Sequence, residues 1–278
     1  MDRRTLIVST LLAGAGVAAT ATVPAAAAHI PAPTNGSGGS LTDHLWGDYT
    51  DQRGINAGVH RWGGHLTGLA GPFPLIIHLH GDGGDEYRNP TTSTSPEYAQ
   101  VAEDHGALCF IPQSPYRSNG YTWWHDYNST QWLADFIGWA GWRYNIDRQR
   151  IYLSGFSGGA ETLAFHLVAD RHDLFLGGGA MMLGGGGAWD MSITGTGSSE
   201  VRARFLMRWH TGDLDDERNT SDGFNALDAS AIGERKYREA GWNARRVLIP
   251  GADHDASEYY GPAALRSLVV EHRNLIGV

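Results

Sequence analysis

The sequence predicts one α/β domain built on a doubly wound, mostly parallel sheet flanked by helices. Continuous apolar runs, which suit strands buried on both faces, occur at residues 75–79, 107–111, 151–153, 176–183, 205–209 and 247–249. Helical patterns lie between them, at residues 97–105, 131–143, 160–169, 226–240 and 263–275. This alternation is typical of a parallel sheet whose functional residues follow the carboxyl ends of the strands. The residues after each run are therefore the candidates for function.

The first 40 residues are expected to precede the domain. Arg3 and Arg4 are followed by an apolar segment at 6–23 and by an alanine string at 25–28, which is the order of a secretory signal peptide. We expect residues 1–28 to be cleaved on export, by the Sec route or, given the arginine pair, by the twin-arginine route. The segment holds few Leu, Ile or Phe residues for an uncleaved membrane anchor. Residues 29–40 are interpreted as a flexible leader, and residues 41–278 as a single domain.

Composition excludes several classes of partner. The formal net charge is −9 at pH 7, with acids and bases interspersed, so there is no basic stripe for a nucleic acid. Cys109 is the only cysteine, and the domain therefore has no internal disulfide. Once the signal peptide is removed, no stable association with a membrane is expected. The sequence does not indicate an oligomeric state.

The run at 75–79 continues into the stretch "HLHGDGGDE". His78 and His80 alternate along the predicted strand and share a face, but no other His, Cys or Glu set has zinc-ligand spacing. The stretch lacks the lysine of a phosphate-binding P-loop, and its acids would repel phosphate. We therefore expect no metal and no cofactor, and interpret the stretch as a loop whose backbone lines a pocket.

Aromatic residues follow the run at 107–111, in the stretch "SNGYTWWHDYNSTQW". Trp123, Trp124 and His125 precede the next predicted helix, on the side where the pocket is expected. Aromatic rings there could stack on a sugar or grip a phenolic acid, so these three residues are candidates for the substrate pocket. Trp132 and Trp139 fall within the predicted helix and are expected in the core.

The candidate nucleophile follows the run at 151–153. Ser157 is the central residue of "GFSGG", a G-x-S-x-G pattern between a strand and a helix. A sharp turn there would expose the hydroxyl at the helix N-terminus, where the dipole stabilises negative charge. Phe156 is adjacent and is a further pocket candidate.

A serine nucleophile needs a base and an acid to orient that base. The run at 205–209 is followed by Asp213, Asp215 and Asp216, and the run at 247–249 is followed by His254. His254 lies between the last strand and a closing helix, which favours it as the base. The distance of Asp215 from the strand end favours it as the acid, and Asp213 is the alternative.

These stretches together resemble α/β-hydrolases of the secreted esterase group, which includes feruloyl esterases, acetylxylan esterases and poly(3-hydroxybutyrate) depolymerases. The matching pieces include "PLIIHLHGDGG", "YNIDRQRIYLSGFSGGAE", "GDLDD" and "VLIPGADHD". The resemblance implies a catalytic domain of α/β-hydrolase fold over residues 41–278, without a large lid domain. It also implies a Ser157–Asp215–His254 triad, with the backbone N–H groups of Asp82 and Gly158 as the oxyanion hole.

Asp82 departs from that resemblance, because related depolymerases often have cysteine at this position and lipases have glycine. A carboxylate facing the oxyanion would oppose catalysis. We therefore expect Asp82 to contribute its backbone N–H while its side chain turns away, toward the loop or toward Arg88.

The expected function is that of a secreted serine esterase acting on small or polymeric carboxylic esters, such as plant cell-wall acyl esters or polyesters. One alternative is a serine peptidase or amidase with the same triad. The other is a non-catalytic homologue that binds a carbohydrate or a surface.

Overall fold

The computed structural model describes residues 39–118, 121–122, 124, 127–189, 193, 197–220 and 223–278. The predicted signal peptide and most of the predicted leader lie outside these ranges. None of the helices in the described ranges combines the length and apolar character needed to cross a membrane.

An eight-stranded sheet forms the centre of the molecule. In chain order the strands are β1 (His44–Thr50), β2 (Asn56–Trp62), β3 (Phe73–Leu79), β4 (Leu108–Pro112), β7 (Ile146–Phe156), β8 (Gly178–Leu183), β9 (Phe205–Gly212) and β10 (Asn243–Ile249). A separate two-stranded ribbon pairs β5 (Arg117–Ser118) with β6 (Tyr121–Thr122).

Helices pack on both faces of the sheet. They are α1 (Asp85–Arg88), α2 (Ser95–Asp104), α3 (Tyr127–Tyr144), α4 (Gly158–Thr162), α5 (Val168–Asp170), α6 (Ser199–Arg204), α7 (Ala226–Glu239), α8 (His254–Tyr259) and α9 (Gly261–Ile276). A π-helical segment, Leu163–Leu167, joins α4 to α5, and short 3-10 turns cover Gly64–Leu66 and His172–Leu174.

The strand order across the sheet is β1-β2-β4-β3-β7-β8-β9-β10. The six neighbouring strands β4, β3, β7, β8, β9 and β10 are parallel to one another. Strand β2 pairs antiparallel with β4 on one side and with β1 on the other, and β1 forms the edge of the sheet. The six parallel strands coincide with the six predicted apolar runs, and the doubly wound α/β fold class is confirmed. The antiparallel edge was not predicted. Strand β1 alternates between exposed and half-buried positions along its whole length, and therefore has no continuous apolar run.

The sheet separates two hydrophobic cores. Alternate residues of β3 enter opposite cores: Leu75 and Ile77 lie in one, and Ile76 lies in the other. All seven residues of β3 are buried, as expected for a central strand covered by helices on both faces. The described residues include no separate lid domain over the carboxyl ends of the parallel strands.

Candidate active site

The turn between β7 and α4 holds Ser157 in a conformation that side chains rarely adopt, with φ 49° and ψ −115°. Such backbone strain costs about 1–3 kcal/mol and persists where the surroundings impose it. A side chain at residue 159 would place its Cβ 2.5 Å from the Leu79 carbonyl oxygen. Only glycine at position 159 therefore lets the start of α4 pack this closely against β3, which produces the sharp turn at Ser157.

Two hydrogen bonds connect Ser157 to a buried acid through one imidazole. His254 Nε2 lies 3.0 Å from Ser157 Oγ, and His254 Nδ1 lies 2.9 Å from Asp215 Oδ1. A carboxylate can only accept, so Nδ1 carries the proton and Nε2 is left to accept from the serine hydroxyl. The Asp215 side chain is fully buried, and 21% of the His254 side chain is exposed. This arrangement can activate a serine hydroxyl as a nucleophile.

The other two acids after β9 have different contacts. Asp213 Oδ1 accepts a hydrogen bond of 2.7 Å from the Gly251 N–H, which fastens the loop that leads to His254. The Asp216 carboxylate pairs with the Arg218 guanidinium in its own turn. The structure thus brings Asp215, rather than Asp213 or Asp216, to the imidazole.

His254 is the first residue of α8. The Asp253 side chain caps this helix by accepting a hydrogen bond of 3.0 Å from the Ala256 N–H. The cap fixes where the helix begins. It therefore also fixes the position of the imidazole relative to the end of β10.

The loop after β3 lies above a buried carboxylate. Glu86 is 1% exposed and accepts a hydrogen bond of 3.0 Å from the Gly81 N–H. His78 Nε2 lies 3.5 Å from Glu86 Oε1, a separation that fits a charge contact rather than a hydrogen bond. Burial raises the pKa of Glu86, but the adjacent His78 imidazole outweighs burial and holds that pKa below its usual value. Glu86 is therefore ionised at neutral pH and anchors the loop by its charge.

His80 fixes the same loop to the end of the neighbouring strand. Its Nδ1 donates to the Gly81 carbonyl over 2.7 Å, and its Nε2 accepts from the Ser114 N–H over 3.0 Å. Burial lowers the pKa of His80, which keeps the ring neutral and able to serve as donor and acceptor at once. His78 Nδ1 contacts Ser154 Oγ at 3.2 Å. In the part of the chain that the structure describes, no group of three His, Cys, Asp or Glu side chains is arranged to hold a metal.

The Asp82 side chain does not turn away as expected. Asp82 is exposed, and a Cβ built on Gly158 would lie 2.1 Å from Asp82 Oδ1. The carboxylate therefore leans across the backbone of Gly158, into space that is open because residue 158 has no side chain. Arg88 instead lies 3.9 Å from Asp85. The two predicted oxyanion donors thus stand on segments that approach each other, with Asp82 in the loop after β3 and Gly158 at the start of α4.

Two phenylalanine rings flank the imidazole of His254. Phe156 is 8% exposed and its ring centroid lies 5.0 Å from that of His254. It also fills the space beside Gly81, where a Cβ would lie 2.7 Å from Phe156 Cδ1. Phe224 approaches His254 edge-on at 6.0 Å. Phe156 was a predicted pocket residue, whereas Phe224 follows a polar stretch and was missed.

The predicted aromatic pocket residues lie partly outside the described ranges, since Trp123 and His125 are not among them. Trp124 is completely buried, and its ring lies 5.2 Å from that of His80. Its carbonyl accepts a hydrogen bond of 2.9 Å from the Thr162 hydroxyl. The structure therefore places Trp124 beneath the site rather than on its surface, because it fills the space between α4 and the end of β3.

Part of the sequence is similar to known acetylxylan esterases. No protein-family model matches the sequence. The chain is 30% identical over 125 residues to a bifunctional acetylxylan esterase/xylanase of Neocallimastix patriciarum, a match that covers 44% of this chain and 17% of that protein. It is 32% identical over 123 residues to a probable acetylxylan esterase A of Aspergillus flavus, covering 40% of this chain and 38% of that protein. The matches thus span well under half the length of these two relatives.

A solved structure decides the fold. The crystal structure of a putative α/β-hydrolase of unknown function from Agrobacterium tumefaciens superposes with a TM-score of 0.57 at 14% identity, over 85% of this chain and 97% of that one. The chain has the α/β-hydrolase fold. The predicted resemblance to esterases of this superfamily is confirmed by the two acetylxylan esterase relatives.

The α/β-hydrolase domain contains a supporting residue that the sequence did not reveal. Glu161, one helical turn after Ser157, accepts hydrogen bonds from the N–H groups of Gly186 and Gly187 over 2.8 and 2.9 Å. These glycines belong to the loop that follows β8. Gly184 of that loop lies beside the acid that contacts His254, since a Cβ at residue 184 would be 3.1 Å from Asp215 Oδ2. The four consecutive glycines after β8 were the available signal, because such a loop needs an external anchor to hold one conformation.

Proposed function

We propose that this protein is a secreted serine esterase that hydrolyses carboxylic esters through an acyl-enzyme on Ser157. The observation that carries the proposal is the continuous hydrogen-bonded path from Asp215 through His254 to Ser157, over 2.9 and 3.0 Å. The proposal is supported by the two relatives whose names are acetylxylan esterases.

In the first half of this reaction, Ser157 Oγ attacks the ester carbonyl carbon and its proton passes to His254 Nε2. Asp215 accepts the Nδ1–H bond and stabilises the imidazolium that forms. The carbonyl oxygen becomes an oxyanion, which the backbone N–H groups of Asp82 and Gly158 would hold. Loss of one such donor typically reduces the rate by about 10²–10³.

The tetrahedral intermediate then collapses. The bond to the alcohol oxygen breaks, and His254 gives its proton to the departing alcohol, leaving an acyl group on Ser157. A water molecule next loses a proton to His254 as its oxygen attacks the acyl carbon. Release of the carboxylic acid returns the proton to Ser157.

We propose acyl esters carried on plant cell-wall polysaccharides as the first substrate class, with acetyl esters the foremost candidate. The names of the two relatives favour this class. With no separate lid domain among the described residues, an ester on a polymer has access to the strand ends. Phe156 and Phe224 would contact the ester group, since both rings lie beside His254.

Labelling with a fluorophosphonate tests the reaction. The purified mature protein should form a stoichiometric adduct that peptide mass spectrometry places on Ser157, and the Ser157→Ala variant should form none. Folded wild-type protein that takes up no label at Ser157 would contradict the proposal. Parallel panels of acetyl, feruloyl, hydroxybutyrate and nitrophenyl esters and of matched amides then separate an esterase from a peptidase and rank the acyl groups.

Secretion is the remaining part of the proposal. It rests on the order of charged, apolar and small residues within residues 1–28. N-terminal sequencing of protein recovered from the culture medium should begin near residue 29. Replacing both Arg3 and Arg4 by Lys should block export by the twin-arginine route and leave export by the Sec route largely intact.

A further inference from the structure

A groove of about 600 Å³ lies between the edge strand β1 and helix α3. It includes Tyr49 from the strand, Asp51 and Gln52 from the turn after it, and Asp135, Trp139 and Trp142 from the helix. Its size falls within the range of small-molecule sites in proteins. None of the residues that line it belongs to the candidate active site.

The helix presents one face to this groove. Asp135, Gly138, Trp139 and Trp142 follow the spacing i, i+3, i+4, i+7, which places them along one side of α3. Trp142 is 49% exposed. The core side of the same helix carries Trp132 instead, which is completely buried. Trp142 is thus largely open to the groove, whereas Trp139 is half-buried and packs partly against the core.

Aromatic rings form the floor of the groove. The rings of Tyr49 and Trp139 lie 5.0 Å apart and are tilted by 39°. Burial raises the pKa of Tyr49 to about 12, so its phenol is neutral and can donate a hydrogen bond. Rings of this kind offer apolar faces with polar edges.

Polar groups beside the rings are available for a ligand. In the part of the chain that the structure describes, Asp135 has neither a hydrogen bond nor an ion pair to its side chain. Burial and the nearby Asp51 raise the pKa of Asp135, and the charges of Arg53 and Arg171 offset only part of that rise. The Gln52 amide adds both a donor and an acceptor. The groove therefore combines apolar ring faces with acceptors and donors that suit hydroxyl groups.

We propose that this groove is a second binding site, which takes a neutral polysaccharide chain. Pyranose rings would stack on Trp142 and Trp139, and their hydroxyls would donate to Asp135. Three acids line the groove against one arginine, Arg171, which disfavours an anionic ligand, and the polar side chains disfavour a lipid. Strand β1 is four strands from β7 in the sheet, so the groove lies roughly 19 Å from the Ser157 strand.

The site would hold the polymer while its ester groups reach Ser157. The inference depends on the proposed function only for the choice of polymer, because binding itself needs no catalysis. Polysaccharide binding can therefore be measured on the Ser157→Ala protein. A failure of binding is thus distinguished from a failure of fluorophosphonate labelling, which tests the proposed reaction.

Affinity electrophoresis in gels containing xylan, mannan or cellulose derivatives provides the test. In the Ser157→Ala background, at least one polysaccharide should retard the protein, and Trp142→Ala should weaken that binding by about fivefold to tenfold. Trp46→Ala is the matched control, since Trp46 is an exposed tryptophan on β1 that does not line the groove. It should bind like the parent.

With Ser157 intact, Trp142→Ala should hydrolyse a small nitrophenyl ester at the wild-type rate and release acyl groups from the polymer more slowly. Absence of retardation by every polysaccharide, or equal retardation of the parent and Trp142→Ala, would overturn the inference. Concentration-dependent self-association that Trp142→Ala abolishes would overturn it as well, in favour of an interface between two copies.

Discussion

Asp215 and Asp82 both lie beside residues of the proposed site, and their surroundings differ. Asp215 is completely buried and contacts His254 over 2.9 Å. Asp82 is exposed and leans across Gly158, one of the proposed oxyanion donors. The first carboxylate would stabilise positive charge on the imidazole, whereas the second would lie near the negative charge of the proposed oxyanion. Neutralising Asp215 should therefore lower the rate, and neutralising Asp82 should not.

Asp215→Asn should reduce kcat for a short nitrophenyl ester by about 10⁴, because an amide cannot hold the imidazole in the required tautomer. Asp213→Asn is the matched control. Its carboxylate accepts from the Gly251 N–H, and the asparagine amide oxygen can still accept that bond, so kcat should fall by less than about tenfold. Steady-state kinetics, with circular dichroism to verify folding, checks both. Equal losses in the two variants would contradict the assignment of Asp215 as the acid.

Asp82→Asn should leave kcat unchanged or raise it up to about fivefold. An exposed charge contributes about 0.2–1 kcal/mol to a neighbouring charge, and the amide removes its repulsion of the oxyanion. Any gain should shrink as salt is added. Asp85→Asn, at an exposed acid that begins the following helix α1, should change neither kcat nor its dependence on salt. A tenfold loss in folded Asp82→Asn would show that the carboxylate itself takes part in the reaction.

Among the secondary-structure elements, α4 has two functions in the site. Its start approaches β3 and produces the strained backbone of Ser157, while Glu161 in its first turn holds the loop after β8. Hydrogen bonds from backbone N–H groups to a carboxylate are stronger than neutral ones, at about 1.5–3 kcal/mol each. The helix therefore couples the nucleophile to the loop that borders Asp215.

Glu161→Gln should lower kcat about tenfold at 25 °C while changing KM little. The amide keeps one acceptor oxygen but loses the charge and the second acceptor, so the loop after β8 would no longer be held at both glycines. The melting temperature should also fall, by about 2–4 °C for each kcal/mol lost. Glu200→Gln, an exposed residue of α6, should alter neither quantity. A lower melting temperature with unchanged kcat would mean that Glu161 supports the fold alone.

For the whole molecule, burial explains how much of the fold and site could be predicted. The inner parallel strands are covered on both faces and appear in the sequence as continuous apolar runs, whereas the edge strand β10 is only half-buried. Ser157, Asp215 and His254 were proposed because each follows an apolar run. Strands β1 and β2 form the antiparallel edge and carry no such signal, because β1 alternates in exposure and β2 mixes buried with half-buried positions.

The supporting acids were harder to predict for a different reason. Glu86 and Glu161 accept from backbone N–H groups elsewhere in the chain, and only the glycine run after β8 gave a sign that one of these contacts was needed. The direction of the Asp82 side chain depends on the missing side chain at Gly158, which is 76 positions away in the sequence.

The stability of the whole molecule should depend on pH through Glu258, on α8. Its carboxylate accepts from the Thr94 hydroxyl over 3.1 Å. Burial, together with the charges of Glu86, Asp85 and Asp255, raises its pKa from 4.5 to about 7. Between these values the folded state binds a proton that the unfolded state releases. The contribution of Glu258 to the free energy of unfolding should therefore be largest below about pH 4.5 and should fall as the pH rises to about 7.

Glu258→Gln should remove this dependence, because the amide has no proton to lose and still accepts from Thr94. Solvent reaches part of the carboxylate, so the gain at pH 8 should be on the order of 1 kcal/mol, less than the full shift implies. Urea unfolding of the wild type, Glu258→Gln and the exposed control Glu239→Gln at pH 4.5, 6 and 8, at constant ionic strength, measures it. The difference between Glu258→Gln and the wild type should grow with pH, and the control should show no such trend. A difference that is the same at all three pH values would mean that Glu258 does not titrate in this range.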